Sequence, residues 1–135
     1  SHYENLVNHK NILIKDFFDN IDYAYSAADI IVSRAGAMTL NEISFMEKAM
    51  ILVPLSSSAA NHQFYNAKFF QDNNAAIMIE EKNLKGYIIE DSILKFFKNV
   101  DDLKLMGLNA SQLIIKNSTE KIVNQIYSIL KIKKI

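Results

Sequence analysis

Apolar and polar positions fall along this chain in blocks. Short apolar runs are each followed by a polar or small-residue turn, and then by apolar positions at helical spacing. The runs are Ile12–Lys15 (within Asn11–Phe17), Ile30–Val32, Met50–Val53 and Ala76–Ile79. A run apolar on both faces suits a buried parallel strand. Between the runs the pattern predicts a short helix over Asp19–Ala27, with Asp19 or Asn20 as its cap and Ile21, Tyr25 and Ala28 on one face. Further helices are expected from about Thr39 to Glu47 and from Asn61 to about Gln71. Three helical segments close the chain, roughly Lys85–Lys98, Asp101–Ile115 and Ser118–Lys131. In the last, Ile122, Ile126, Ile129 and Leu130 form an apolar stripe. Gly107 speaks against a continuous middle helix. Ser1–Asn11 reads as a frayed start or a helix remnant. Four strands separated by helices imply a parallel sheet with right-handed crossovers. The expected architecture is one α/β domain, a Rossmann-like parallel sheet flanked by helices.

Composition narrows the function classes. The chain has 135 residues, half of them hydrophobic, and its formal net charge is zero. That is long enough for one core, and a neutral chain carries no electrostatic footprint for nucleic acid. The lack of cysteine excludes disulfides and thiolate metal sites. No apolar run approaches the length of a membrane span and no signal peptide opens the chain, so a soluble, cytoplasmic domain is expected. Lys outnumbers Arg heavily, and Ile and Asn are abundant, a bias that suggests an AT-rich genome. The exceptions are therefore informative. The sole arginine (Arg34), the sole proline (Pro54) and Gly36, one of three glycines, all fall between Ala28 and Ala67.

In open α/β sheets, ligands bind where strands end and helices begin. Two such junctions carry candidate chemistry. At Ser33–Glu42, Gly36 allows a sharp turn and leaves the amides of the coming helix uncovered. Such free N–H groups carry about half a positive charge between them, which suits a diphosphate. Arg34 adds a cation, and Glu42 is placed to accept from a vicinal diol. Thr39-Leu40-Asn41-Glu42 also fits a capping box, which by itself is the simpler account. Neither the dinucleotide fingerprint nor the P-loop pattern is present. At Ser56–Asn66 a small-residue loop precedes Asn61, His62, Gln63 and Asn66, whose paired donors and acceptors suit sugar hydroxyls. The plainer alternative is an Asn61 cap beside solvated neighbours. His62 has no partner at metal spacing, which argues against zinc, and no nucleophile turn suggests a hydrolase triad. Two such loops at neighbouring strand ends make one crevice, and their co-occurrence favours a binding site.

At these residues the chain resembles a known family. ADIIVSRAGAMTLNEI, then MILVP, then AANHQFYNA is similar to the C-terminal domain of the MurG family, within the glycosyltransferase family 28 type. The tandem of S-R-x-G-A-x-T-x-x-E and N-H-Q-x-x-N-A is hard to produce by chance. The likeness runs from about Asn11 to Ile79 and more loosely to the C-terminus. It implies the donor-binding half of a GT-B enzyme that moves GlcNAc from UDP-GlcNAc to a lipid-linked muramoyl-pentapeptide in peptidoglycan synthesis. By the same resemblance, the backbone at Phe18 contacts the uracil. Ala37, Met38 and Thr39 hold the diphosphate at a helix start. Glu42 binds the ribose hydroxyls, which favours that role over the capping box. His62 and Gln63 face the sugar, with Gln63 on a GlcNAc hydroxyl, and Asn66 belongs to the same motif. UDP-GlcNAc is then a substrate, and no cofactor or metal is implied. The helix N-terminus eases departure of UDP in an inverting transfer. The base and the lipid acceptor site are implied in an N-terminal domain outside this chain, so no catalytic residue is assigned here. The parent enzyme is expected at the inner face of the cell membrane.

The chain departs from the family in lacking that N-terminal domain and the opening strands of the C-terminal one. In the usual order 3-2-1-4-5-6, two strands would lie between Ile12–Lys15 and Ile30–Val32. An unpaired edge invites association, so a homo-oligomer or a strand-swapped dimer is expected if the chain folds alone. Sugar transfer by the isolated chain is not expected. The alternatives are a non-catalytic nucleotide-sugar-binding or assembly module that needs a partner chain, and a related UDP-sugar transferase or epimerase. Lys131, Lys133 and Lys134 suit a helix C-terminus better than a membrane surface.

Overall fold

Three parallel strands order the molecule, and the reason is visible in their burial. The computed structural model describes residues 10–130, with every side chain among them but that of residue 97. Strand β1 is Ile30–Ser33, β2 is Ala49–Leu52 and β3 is Ile77–Met78, in the spatial order β1-β2-β3. Ile30 pairs with Ala49 and Ser33 with Leu52, while Ile51 pairs with Ile77. All four residues of β2 are buried. That is the expected state of a central strand covered on both faces, for which a continuous apolar run is required.

The helices follow as α1 (Ile21–Ala27), α2 (Ala37–Phe45), α3 (His62–Asp72), α4 (Gly86–Phe97), α5 (Val100–Leu113) and α6 (Ser118–Leu130). One core cluster joins Met50 and Leu52 of β2 to Leu40 and Ile43 of α2, Ala67 and Phe70 of α3 and Ala110 of α5. Another joins Ile51, Val53 and Ile79 to Ile88, Ile89 and Ile93 of α4. The sheet is therefore sandwiched between helices, as the alternation of strands and helices predicts.

Gly107 does not break α5. A Cβ on it would lie 2.0 Å from the Glu47 carbonyl oxygen, so the glycine lets α5 pass directly over the turn between α2 and β2. That turn contains Glu47 itself, at φ 54°.

One predicted strand is absent. Residues 12–15 join no ladder, and the segment exposes Leu13 and Phe17, at 70% and 78%. An isolated strand gains nothing from its backbone without a neighbour, and among the described residues no strand pairs with this segment. The expectation for Ser1–Asn11 lies almost wholly outside the described residues, as do Lys131, Lys133 and Lys134. The stripe on α6 does form, but it is uncovered: Ile122, Ile126, Ile129 and Leu130 are all exposed. Among the described residues no helix is long and apolar enough to cross a membrane.

Candidate functional site

Parallel strands deliver their C-terminal ends to one side of the sheet, so the loops after β1, β2 and β3 meet there. After β1 the chain turns directly into α2. Gly36 occupies the N-cap position at φ −71° and ψ 139°, an ordinary extended conformation open to any residue. Its left-handed freedom is therefore not used, contrary to the sharp turn expected. What it contributes is space, since a Cβ there would meet only Thr39 Oγ1, at 3.9 Å. The first intrahelical bond runs from the Leu40 amide to the Gly36 carbonyl at 2.9 Å. The amides of Ala37, Met38 and Thr39 precede it and point out of the helix start. Met38 is 78% exposed.

The helix starts two residues before Thr39, which rules out the capping box, because Thr39 lies inside the first turn and not at its cap. Glu42 is instead exposed on the helix surface and faces α1. The Tyr25 hydroxyl lies on the side of α1 that faces the Glu42 carboxylate. Burial first, then the nearby Glu42 carboxylate, pushes the Tyr25 hydroxyl above its usual value of 10.0.

After β2, buried Pro54 leads into the loop Leu55–Asn61. Here Ala60 and Asn61 both adopt left-handed backbone, at φ 46° and 53°. Such conformations cost a non-glycine residue roughly 1–2 kcal/mol each, less for Asn. The Ser58 hydroxyl is buried without a partner. This loop is held against its local preferences, and several side chains hold it. Gln63 Oε1 accepts from the Leu55 amide at 3.0 Å, which leaves its amide nitrogen as a free donor group. His62 Nδ1 lies 2.6 Å from the Ala59 carbonyl oxygen. A carbonyl only accepts, so Nδ1 carries the proton and Nε2 keeps its lone pair in the neutral ring. Asn61 stands at the N-cap of α3 and makes no capping bond with its side chain.

Asn66 joins the two junctions. Its Nδ2 donates to the Ala35 carbonyl at 3.1 Å, pinning the residue before Gly36 to α3. This bond gives Asn66 a defined structural task.

Arg34 is the second connection. Its Nη1 donates to the Val53 carbonyl at 3.3 Å and its Nη2 to Glu81 Oε1 at 2.7 Å. The cation expected to face a diphosphate is thus paired with a carboxylate. Glu81 also accepts from the Ser56 amide, at 3.1 Å, and from the Ser56 hydroxyl. The Ser56 hydroxyl, then the Ser56 amide, then Arg34 hold the Glu81 carboxyl down to about 2. Neither Ser56 nor Glu81 was singled out from sequence. The signal available was positional: a sole arginine after one strand, a serine after the next and an acidic pair after the third.

These residues do not all share one cavity. A cavity of about 300 Å³ is lined by Ser56, Asn61, Phe64, Tyr65, Glu80 and Glu81, among others. Glu42 instead opens on a second, of about 810 Å³, between Asn41 and Phe45 of α2 and residues 113–119. The single crevice expected from sequence is two separate hollows, and Ala37, Met38, Thr39, His62, Gln63 and Asn66 line neither of them. Phe18 lines neither. It lies in the segment before α1 with the Lys15 ammonium 5.7 Å from its ring centroid.

Comparison with known proteins gives this geometry a context. The model of the glycosyltransferase family 28 C-terminal domain matches residues 2–126. A UDP-N-acetylglucosamine--N-acetylmuramyl-(pentapeptide) pyrophosphoryl-undecaprenol N-acetylglucosamine transferase of Vesicomyosocius okutanii is 41% identical over 118 residues, covering 86% of this chain and 34% of the relative. The Finegoldia magna protein of the same name is 35% identical over 121 residues, covering 90% and 33%. The crystal structure of Acinetobacter baumannii MurG superposes with a TM-score of 0.74 at 31% identity, covering 83% of this chain and 32% of that one. The chain spans about a third of the length of these relatives.

Proposed function

The chain belongs to the glycosyltransferase family 28 C-terminal domain family, and on that premise we propose that it is the UDP-GlcNAc-binding part of an inverting GlcNAc transferase of peptidoglycan synthesis. The observation that carries the reading is the bare start of α2. Three amides there precede the first intrahelical bond, and Gly36 sets no side chain over them. An anionic diphosphate fits such a helix end. In this reading the amides of Ala37, Met38 and Thr39 hold the diphosphate and Glu42 accepts from the ribose hydroxyls. Phe18 contributes its backbone to the uracil. The free Nε2 of His62, the free amide nitrogen of Gln63 and the side chain of Asn61 face the sugar. Asn66 keeps Ala35, and with it the helix start, in place.

The chemistry follows from the charge. When an acceptor hydroxyl attacks the anomeric carbon and the bond to the diphosphate breaks, negative charge grows on UDP. Fixed amide dipoles stabilise that charge without reorganising. The base and the lipid-linked acceptor site belong, on this proposal, to the part of the relatives that the chain does not span. The whole enzyme then works at the cytoplasmic face of the membrane, and the 135 residues alone transfer no sugar.

Calorimetric titration with UDP-GlcNAc tests the reading, with UDP-galactose as control. Selective binding, weakened about tenfold by Glu42→Ala and again by Gln63→Ala, is expected from the loss of one charged and one neutral hydrogen bond. A folded chain that binds neither nucleotide sugar overturns it. The open edge of β1 favours a second reading, a nucleotide-sugar-binding module completed by another chain; it predicts binding only when that chain is present.

A further inference from the structure

Glu81 has no task in the reading above, yet its carboxylate touches the loops that follow both other strands. We infer that Glu81 is a positioning residue for the sugar end of the donor: by gripping Ser56 it holds the loop that delivers Asn61, His62 and Gln63. This rests on the proposal that the site takes UDP-GlcNAc.

The two sides of the site are unequally supported. The loop from Ser56 to Asn61 carries two left-handed residues, Ala60 and Asn61, and the unpartnered Ser58 hydroxyl, so it relaxes if released. Two anchors oppose that relaxation at its start. Gln63 accepts from the Leu55 amide, and Glu81 accepts from both the amide and the hydroxyl of Ser56. Gln63 thus depends on the same loop end that Glu81 fixes. The start of α2 touches Glu81 only through Arg34, which keeps its bond to the Val53 carbonyl when Glu81 is lost. Leu40 and Ile43 bury its inner face, and Asn66 pins Ala35 from α3. Glu42 faces Tyr25 of α1 and touches neither Glu81 nor the loop after β2. Loss of Glu81 therefore loosens the sugar side and spares the nucleotide side. It also leaves the Arg34 guanidinium unpaired beside the helix start, which favours a diphosphate.

Titration of the wild-type chain, Glu81→Ala and Glu81→Gln with UDP and with UDP-GlcNAc separates the two halves. Hydrogen exchange at the Ser56 amide reads the grip without any ligand. In Glu81→Ala the UDP affinity is expected to stay within about threefold or to rise, and the UDP-GlcNAc affinity to fall about tenfold, the size of a lost charged hydrogen bond. Ser56 exchange should quicken by about the same factor. Glutamine keeps an acceptor for the Ser56 amide, so Glu81→Gln is expected to restore both the exchange protection and the preference for the sugar nucleotide. Equal weakening of both ligands in Glu81→Ala would reveal a merely structural role and overturn the inference, as would unchanged Ser56 exchange. A wild-type chain that binds neither ligand refutes the donor reading, and the exchange data then decide the grip alone.

Discussion

A methyl group on Gly36 would meet only the Thr39 hydroxyl, 3.9 Å away, and the backbone at φ −71° and ψ 139° accepts any residue. Gly36→Ala should therefore fold as well as the wild type. Reducing the freedom of the unfolded chain should even raise its stability by about 0.4–1 kcal/mol. The same methyl would stand over the amides that are proposed to hold the diphosphate. UDP affinity is expected to fall about tenfold, the scale of a displaced charged hydrogen bond. Thermal unfolding and UDP titration of the one variant thus move in opposite directions. Loss of stability would mean that the glycine serves the backbone after all. At this scale the sequence marks residue types and positions and not their contacts. Gly36, Glu42, Gln63 and Asn66 were all marked by type and position. Their contacts were not readable, because Asn66 reaches Ala35 across 31 positions and Arg34 reaches Glu81 across 47. No local pattern encodes such pairings.

Elements are held in place by contacts of the same long range. Gly107→Ala would put a Cβ 2.0 Å from the Glu47 carbonyl oxygen, inside any allowed separation. Helix α5 must then move off the turn before β2, and overpacking of this kind costs about 1–3 kcal/mol. A marked drop in the unfolding midpoint is expected, although alanine is the better helix former. Local propensity read this glycine as a fault in the helix, while the packing of α5 over Glu47 makes it a requirement. The loop after β2 should respond to acid in a defined window. Glu81 is lowered from 4.5 to about 2. A depressed carboxyl stabilises the fold fully above its unfolded value and loses that contribution as pH falls through its folded value. Protection of the Ser56 amide should thus persist at pH 4 and disappear as pH approaches 2. In Glu81→Gln the same profile should be flat over that window.

For the whole molecule, the free edge of β1 matters most. Val53 donates its amide to the Ser33 carbonyl, so Ser33 and, by alternation, Ile31 face β2. The backbone groups of Ile30 and Val32 then point to the other side, where no described strand pairs with them. The segment at residues 12–15, which the apolar pattern marked as a strand, is exposed and unladdered for want of neighbours. A sheet is a property of several segments, and a run of apolar residues specifies only one of them. An unpaired edge is a template for another chain. The isolated 135-residue chain is expected to self-associate, with a sedimentation-average mass that rises with concentration. Val32→Pro removes an amide that faces the open side and leaves the β1–β2 ladder intact, a placement that edge strands tolerate. That variant should sediment as a monomer at concentrations where the wild type does not, with its unfolding midpoint little changed. A wild-type chain that stays monomeric throughout would show that the edge is shielded in solution. In that case the expectation of an oligomer fails while the proposed donor site at the C-terminal ends of the strands is untouched.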